Sequence, residues 1–317
     1  MRAAQCLTGL LLALGVTVTC AGCGAQSVRA DVVLKIEPDV IYDSGLTQRG
    51  SKPLLMDIYQ RDEPCDALKP LVLIIHGGAF RRGSKTRNGW DHRARDAARR
   101  GYVASSIDYR LISDAPVISD EFEPVLSDLI AAKADLRSNT DPLEVYASAV
   151  TAAIEDTVAA LRFLESNSPE DRCIDMSRIG LWGGSAGAIV ALHVAYGLDE
   201  HDISIPRPDV VIDYWGMMYR DDMMAEADAP LFILHGSEDD RVNAQNALDL
   251  KAEADAVGVG AALYLVVGAG HGYSGIAVHS DDQTVNGSTL LEMTLNFLDA
   301  HLKDDAPRPV YERVSID

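Results

Sequence analysis

The most informative part of this sequence is Arg178-Ile179-Gly180-Leu181-Trp182-Gly183-Gly184-Ser185-Ala186-Gly187. An apolar run ends there in the pattern G-x-S-x-G, and an alanine-rich segment that favours a helix follows at once. A serine held in a tight turn between a strand and a helix leaves no room for side chains two residues before and after it, and Gly183 and Gly187 occupy those positions. The sequence therefore predicts a nucleophile elbow with Ser185 at its tip.

Main-chain N–H groups that could hold an oxyanion are predicted from two places. The first N–H groups of a helix have no partner within it and favour negative charge, which makes Ala186 one candidate donor. Residues 76–80 (HGGAF) follow the unbroken apolar run 71–75, which is typical of a strand buried on both faces. Their glycines let main-chain N–H groups face a substrate carbonyl, so Gly78 and Ala79 are predicted as the other oxyanion donors.

The acid of a catalytic triad is predicted in the loop 235–242 (HGSEDDRV), which follows a predicted strand. This loop holds three adjacent carboxylates, of which Asp239 matches the pattern H-G-x-x-D. Glu238 and Asp240 are predicted to be solvated or structural. Asp213, at the end of the preceding strand, is the alternative acid.

The base is predicted in the loop 268–273 (GAGHGY), after the last predicted strand. His271 is flanked by glycines there, so its loop can bring the imidazole to the serine. His279 is the rival, because it belongs to the same loop region. His76 and His235 begin strand-to-loop turns and are predicted to be structural.

The rest of the chain predicts an α/β fold. Segments 32–36, 41–42 and 54–59 alternate apolar and polar residues, as half-exposed antiparallel strands do. Strands and helices alternate from residue 71 onward, which predicts a mostly parallel sheet with helices on both faces. Besides the strand that leads into the serine, strands are predicted at 71–75, 102–107, 210–214, 231–234 and 263–267, and helices at 91–100, 146–164, 244–256 and 290–302.

Residues 111–149 are too many for a simple crossover between two strands. They include three prolines and a helical pattern from Val125 to Leu136. We predict an insertion at the carboxyl ends of the strands, where ligands bind in open α/β sheets. The insertion is expected to cap the site, and a surface excursion is the alternative.

Composition limits the classes of function. The 317 residues, 47% hydrophobic, suffice for one large domain over 31–317. A net charge of -20 argues against binding nucleic acid or an anionic membrane surface. No pattern of cysteine or histidine spacing suggests a metal site.

Residues 1–30 predict an export signal. An apolar run over 7–18 is followed by small residues, and the run is too short for a confident membrane span. The residues up to Cys23 resemble the end of a bacterial lipoprotein signal, in which the cysteine is lipidated. Ordinary cleavage after Ala25 or Ala30 is the alternative. Either prediction implies a periplasmic or extracellular protein. A membrane anchor is expected only in the first case, through the lipid at Cys23.

Cys65 and Cys173 are the two cysteines outside the predicted signal. Exported chains commonly join such pairs in a disulfide. Sequence alone does not distinguish this pairing from two separate thiols.

These motifs together resemble a known family. The order of oxyanion loop, serine elbow, acid and histidine, each after a successive strand, resembles the α/β-hydrolase superfamily of esterases and lipases. The sequences LMDIY (55–59), HGGAF, DYRL (108–111) and WGGSAG are similar to carboxylesterases related to hormone-sensitive lipase and to bacterial feruloyl and acetyl-xylan esterases. The resemblance extends over residues 40–303, with two departures. Ala79 replaces a frequent glycine, and the insertion leaves the substrate pocket unpredicted.

The resemblance implies an α/β-hydrolase fold and hydrolysis of carboxylic esters through an acyl-enzyme. Ser185, Asp239 and His271 would form the triad, and no cofactor would be needed. The substrate would be a small-molecule or polysaccharide-linked ester. The alternatives are another acyl hydrolase, such as an exopeptidase or a formamidase, and a non-catalytic binding protein on the same fold. No feature predicts the oligomeric state. Five aromatic residues are candidates for either pocket or core: Trp90, Tyr214, Trp215, Tyr219 and Tyr273.

Overall fold

The computed structural model describes residues 32–132, 141–167, 172–220, 222–273, 284–285 and 287–316. Its contacts divide the chain into Met1–Val32 and one compact unit, Val33–Asp317. The predicted export signal with Cys23, and the alternative base His279, lie outside the described residues. Within the described ranges, no helix has both the length and the apolar character needed to cross a membrane.

Nine of the strands in the described residues form one sheet. The strands are β1 Leu34–Thr47, β2 Gly50–Arg61, β3 Lys69–Ile75, β4 Val103–Ile107, β5 Ile174–Gly184, β6 Val210–Tyr214, β7 Leu231–Gly236, β8 Ala261–Val266, β9 Thr284–Val285, β10 Ser288–Thr289 and β11 Arg313–Ile316. The sheet has the order β1-β2-β4-β3-β5-β6-β7-β8-β11, and β9 pairs with β10 separately. Strand β2 is antiparallel to β1 and β4, and the other pairs of the sheet are parallel. The prediction of a mostly parallel sheet with antiparallel N-terminal strands is confirmed.

The described residues include six α-helices, which pack around the sheet. They are α1 Trp90–Arg100, α2 Glu123–Ala131, α3 Leu143–Ser166, α4 Ala186–Tyr196, α5 Ala244–Val257 and α6 Leu290–Leu302. One hydrophobic cluster joins the sheet to α2, α3, α4 and α5, and a second joins it to α1 and α6. Successive side chains of β3 enter the two clusters alternately, with Leu73 in the first and Ile74 in the second. This burial on both faces explains the unbroken apolar run of that strand.

The N-terminal strand is longer than predicted. The sequence predicted two short pieces at 32–36 and 41–42, whereas β1 is one strand of 14 residues. Its register against β2 shifts between Glu37 and Val40, where Asp39 has a φ of 54°. Such a bulge inserts residues without ending the strand, which is why the alternation of polar and apolar residues breaks while the pairing continues.

The described part of the insertion 111–149 is packed onto the core. Helix α2 begins at Glu123 and buries Val125 and Leu129 in the cluster that includes α3. The predicted end at Leu136 lies outside the described residues. Buried Arg110, just before the insertion, donates from Nε to Asp156 of α3 at 2.9 Å and from Nη1 to the Val117 carbonyl at 2.8 Å. These bonds attach the start of the insertion to α3.

A disulfide joins Cys65 to Cys173, with 5.7 Å between their Cα atoms. Cys65 lies in the loop between β2 and β3, and Cys173 immediately precedes β5. The bond therefore links the antiparallel part of the sheet to the strand that ends at the serine elbow.

Candidate active site

The elbow between β5 and α4 holds Ser185 in a strained conformation. Its φ of 53° and ψ of -121° lie in a region that residues with a side chain rarely adopt. A Cβ atom at Gly183 would lie 2.2 Å from the Gly187 carbonyl oxygen, and one at Gly187 would lie 2.0 Å from the Ile75 carbonyl oxygen. Neither contact is sterically allowed, so both glycines of the motif are required by close packing around the turn.

Three predicted residues form a continuous chain of hydrogen bonds. The Ser185 hydroxyl lies 2.9 Å from His271 Nε2, and His271 Nδ1 lies 2.7 Å from Asp239 Oδ2. With its proton on Nδ1, the imidazole donates to the carboxylate and leaves Nε2 free to accept the serine proton. The carboxyl ends of β5, β7 and β8 bring these side chains together, because parallel strands end at one edge of the sheet.

Asp239 is buried yet well supplied with donors. Its Oδ1 accepts the N–H groups of Arg241 and Val242, both at 2.9 Å. Burial alone would raise the pKa of Asp239, but hydrogen bonds from His235, His271 and these two amides lower it well below its ordinary value. The carboxylate is therefore ionised at neutral pH.

The alternative acids have other surroundings. Glu238 and Asp240 are exposed. Asp213 is completely buried, and its Oδ1 accepts the N–H of Gly216 at 2.7 Å. Burial raises the pKa of Asp213 to about 6. Among the described residues, Asp239 is the carboxylate that contacts the His271 imidazole.

His235 is a supporting residue whose contact with Asp239 the sequence did not reveal. It is completely buried, donates from Nε2 to the Val242 carbonyl at 2.9 Å, and lies 3.4 Å from Asp239 Oδ2. Burial lowers the pKa of His235, but Asp239, the Val242 carbonyl and Asp213 together raise it above its ordinary value. The available signal was the spacing of His and Asp in H-G-x-x-D, which brings both side chains into one turn.

The predicted oxyanion loop lies directly against the elbow. A Cβ atom at Gly77 would lie 2.6 Å from the Gly184 carbonyl oxygen, and one at Gly78 would lie 1.8 Å from the Arg82 carbonyl oxygen. Gly78 and Ala79 have φ values of 135° and 55°, so Ala79 adopts the left-handed conformation that the more frequent glycine would favour. Together with Ala186 they line the cavity at Ser185, and the described residues provide no acceptor for their three N–H groups.

The cavity above the serine has a volume of about 610 Å³, within the usual range for small-molecule sites. Three of the five candidate aromatics line it, namely Trp90, Trp215 and Tyr219, whereas Tyr214 is packed in the core. The side chain of Tyr273 lies outside the described residues.

Tyr146 is the member of the described part of 111–149 that lines the cavity, and no residue of α2 does so. Four arginines also line it: Arg81, Arg82, Arg93 and Arg241.

Two family models match separate parts of the chain. The model described as BD-FAE matches residues 56–123, and the model described as alpha/beta hydrolase fold matches residues 147–232. Together they include the oxyanion loop and the serine elbow. No curated protein matches the sequence significantly.

Solved structures with the same fold include several enzymes. Esterase 2 of Thermogutta terrifontis, phosphorylated by paraoxon, has 18% identity and a TM-score of 0.56, with 75% of this chain and 84% of that chain covered. A truncated carbohydrate esterase from gut microbiota has 18% identity and a TM-score of 0.57, with 85% of this chain and 97% of that chain covered. An alpha/beta hydrolase enzyme from a Medee basin deep-sea metagenome library has 16% identity and a TM-score of 0.55, with 85% of this chain and 98% of that chain covered.

Proposed function

We propose that this chain, which has the α/β-hydrolase fold, is a serine hydrolase that cleaves carboxylic esters through an acyl-enzyme formed on Ser185. The observation that carries the proposal is the series of hydrogen bonds from Ser185 through His271 to Asp239, of which Ser185 and His271 line the cavity. The names of the structural neighbours, which include esterases and a carbohydrate esterase, support ester hydrolysis.

The mechanism begins with attack of the Ser185 oxygen on the ester carbonyl. His271 Nε2 accepts the serine proton, and the ionised Asp239 stabilises the imidazolium that results. The N–H groups of Gly78, Ala79 and Ala186 hold the negative oxygen of the tetrahedral intermediate. His271 then protonates the departing alcohol, which leaves the acyl group on Ser185. Water attacks this acyl-enzyme with His271 again as the base, and His271 then returns the proton to Ser185 as the carboxylic acid is released. Each step uses groups of this chain, the substrate and water.

The substrate class is proposed to be a small-molecule or polysaccharide-linked ester. The cavity is large enough for a small alcohol or acid group, and aromatic side chains form part of its wall. A carbohydrate esterase among the structural neighbours favours including sugar-linked esters.

We also propose that the mature protein functions outside the cytoplasm, with or without a lipid at Cys23. The disulfide between Cys65 and Cys173 supports this location, because such bonds persist mainly in oxidising compartments.

Substituting Ser185→Ala tests the proposed function. We expect kcat for 4-nitrophenyl acetate to fall by about a million-fold, as loss of a triad nucleophile does. Ser84→Ala, a serine outside the cavity, is the matched control and should retain wild-type turnover. Circular dichroism and thermal unfolding verify that both variants fold. Wild-type protein that neither hydrolyses the ester nor reacts with a fluorophosphonate probe would instead support a non-catalytic binding protein.

A further inference from the structure

Arg93 is a buried arginine in the wall of the active-site cavity. It belongs to α1 and is 5% exposed, yet it lines the same cavity as Ser185. Its guanidinium carbon lies 4.3 Å from the centre of the Trp90 ring and 5.8 Å from that of Tyr214. Its Nη1 donates to the Gly89 carbonyl at 3.2 Å. These contacts hold the guanidinium in one orientation against two aromatic faces.

The charge of Arg93 has no carboxylate partner among the described residues. Its Nε atom is buried and has no acceptor there. Burial lowers the pKa of Arg93, and the opposing effects of Tyr214 and Asp96 are too small to offset this loss of hydration. A charge buried in this way is costly, so buried arginines are ordinarily paired.

Arg110 of the same chain illustrates the ordinary arrangement. It is buried to a similar degree and forms ion pairs with Asp156 at 2.7 Å and Glu155 at 2.8 Å. The chain has 48 acidic residues and a net charge of -20, so carboxylates are not scarce. The contrast shows that Arg93, unlike Arg110, has no carboxylate partner among the described residues, and it leaves the cavity side of Arg93 as a place where a ligand could supply one.

The position of Arg93 connects it to the reaction. The Trp90 ring, on which the guanidinium is stacked, packs against the elbow. A Cβ atom at Gly184 would lie 2.3 Å from Trp90 Cη2. One indole ring therefore separates the Arg93 guanidinium from the residue that precedes Ser185, and Arg93, Trp90 and Ser185 line the same cavity.

We propose that Arg93 binds a carboxylate of the substrate, so that the preferred substrates are esters that also carry a free carboxylate group. This inference rests on the proposed ester hydrolysis. The planar guanidinium matches a carboxylate in shape, and a desolvated arginine at a cavity wall favours such pairing over hydration. Neutral esters would leave the buried charge uncompensated and would bind more weakly.

Two matched pairs of esters test the inference and distinguish which side of the ester carries the carboxylate. The first pair is 4-acetoxybenzoate and its methyl ester, with the carboxylate on the leaving group. The second pair is monomethyl glutarate and dimethyl glutarate, with the carboxylate on the acyl group. Each kcat/KM is divided by the rate of hydroxide-catalysed hydrolysis of the same ester, which removes intrinsic reactivity from the comparison.

For the wild type we expect the anionic member of one pair to be preferred by about 10- to 100-fold, the range for a hydrogen bond to a charged group. Arg93→Gln should abolish this preference mainly by raising KM for the anionic ester, so that kcat/KM falls much further for the anionic member of the pair than for the neutral one. Arg93→Lys should restore part of the preference. Arg95→Gln, on the same helix but outside the cavity, should retain all of it.

Equal losses for anionic and neutral esters in Arg93→Gln would overturn the inference, because a residue with a purely structural role acts on both alike. A wild type that hydrolyses the neutral member of each pair as well as the anionic one would overturn it too. That second measurement requires no variant, so it remains decisive if Arg93→Gln does not fold.

Calorimetric titration of the Ser185→Ala protein separates this inference from the proposed function. We expect 4-acetoxybenzoate or monomethyl glutarate to bind more tightly than its neutral counterpart. Binding of the anion with no ester hydrolysis by the wild type would contradict the proposed function alone. If the wild type hydrolyses neutral esters and neither the kinetic nor the calorimetric measurement shows a preference for anions, the role of Arg93 is contradicted and the proposed ester hydrolysis is not.

Discussion

The charge on Asp239 depends on three hydrogen-bond donors and a nearby imidazole that converge on one buried carboxylate. Two main-chain amides bind its Oδ1, the His271 imidazole binds its Oδ2, and His235 lies 3.4 Å from the same oxygen. This arrangement fixes the carboxylate and keeps it ionised, which are the two properties that an acid must have to orient a catalytic histidine.

Substitution of the three adjacent carboxylates tests the role of Asp239. We expect Asp239→Asn to lower kcat for 4-nitrophenyl acetate by about ten-thousand-fold, because the amide favours the wrong tautomer of His271. Glu238→Gln and Asp240→Asn are the matched controls, since both side chains are exposed, and each should stay within about threefold of the wild type. A greater loss in Asp240→Asn, or in Asp213→Asn, would assign the acid to that residue instead.

At the level of helices and strands, the sequence predicted elements with strong periodicity well. Helix α6 has the predicted bounds of 290–302, and α5 differs from its prediction by one residue. Strand β11 was not predicted, because its four residues, Arg313–Ile316, are too few to show a pattern. Its pairing with β8 depends on the tertiary fold rather than on local preference.

The candidate site was predicted to an unequal extent. Ser185, Asp239 and His271 were predicted because each follows a strand, and parallel strands bring their ends together; their catalytic roles remain predictions. Arg93 could not be recognised, because its segment DHRARDAARR has the composition of an exposed basic helix. Burial of that one arginine results from its stacking on the Trp90 ring and from the packing of α1 against the sheet, which local sequence does not encode.

The structure changes how the predicted cap must be tested. Removing residues 115–145 would delete α2 and expose the apolar surface that Val125 and Leu129 cover. Loss of such buried side chains costs about 2 to 5 kcal/mol each, so the deleted protein is expected to unfold. A single substitution where the segment meets the cavity is the better experiment.

Tyr146 is that position. Its ring packs edge-on against Phe80 at 5.6 Å, and its hydroxyl lies 3.2 Å from that of Tyr219. We expect Tyr146→Ala to change the ratio of kcat/KM for 4-nitrophenyl octanoate and acetate by about tenfold, the scale on which pocket contacts discriminate substrates. Val145→Ala, an exposed neighbour on the same helix, should leave the ratio unchanged. If Tyr146→Ala also leaves it unchanged, the segment does not select substrates through this contact.

Over the whole molecule, charge is distributed unevenly. The chain has a net charge of -20, yet four arginines line the active-site cavity. A protein of this net charge repels anions at long range. Four arginines against one lining carboxylate, Asp240, give the cavity an excess of positive charge, which concentrates anions locally. The excess of arginine around the cavity favours an anionic substrate there, in agreement with the role inferred for Arg93.

The disulfide acts on the stability of the molecule as a whole. Cys65 and Cys173 are 108 residues apart, and neither lines the cavity. Closing so long a loop restricts the unfolded chain, and the loop-entropy model assigns about 4 to 5 kcal/mol to a loop of roughly 100 residues.

We therefore expect reduction of the disulfide, or the double substitution Cys65→Ser and Cys173→Ser, to lower the free energy of unfolding by about 2 to 5 kcal/mol. Urea unfolding with and without dithiothreitol measures the change. Because the bond is remote from the cavity, kcat/KM for 4-nitrophenyl acetate should be unaffected under conditions where the protein stays folded. Dithiothreitol added to the double variant is the matched control and should have no effect. Two titratable thiols in the denatured, unreduced mature protein would contradict the pairing itself, whereas an unchanged midpoint on reduction would show that native contacts already restrict the chain as much as the bond does.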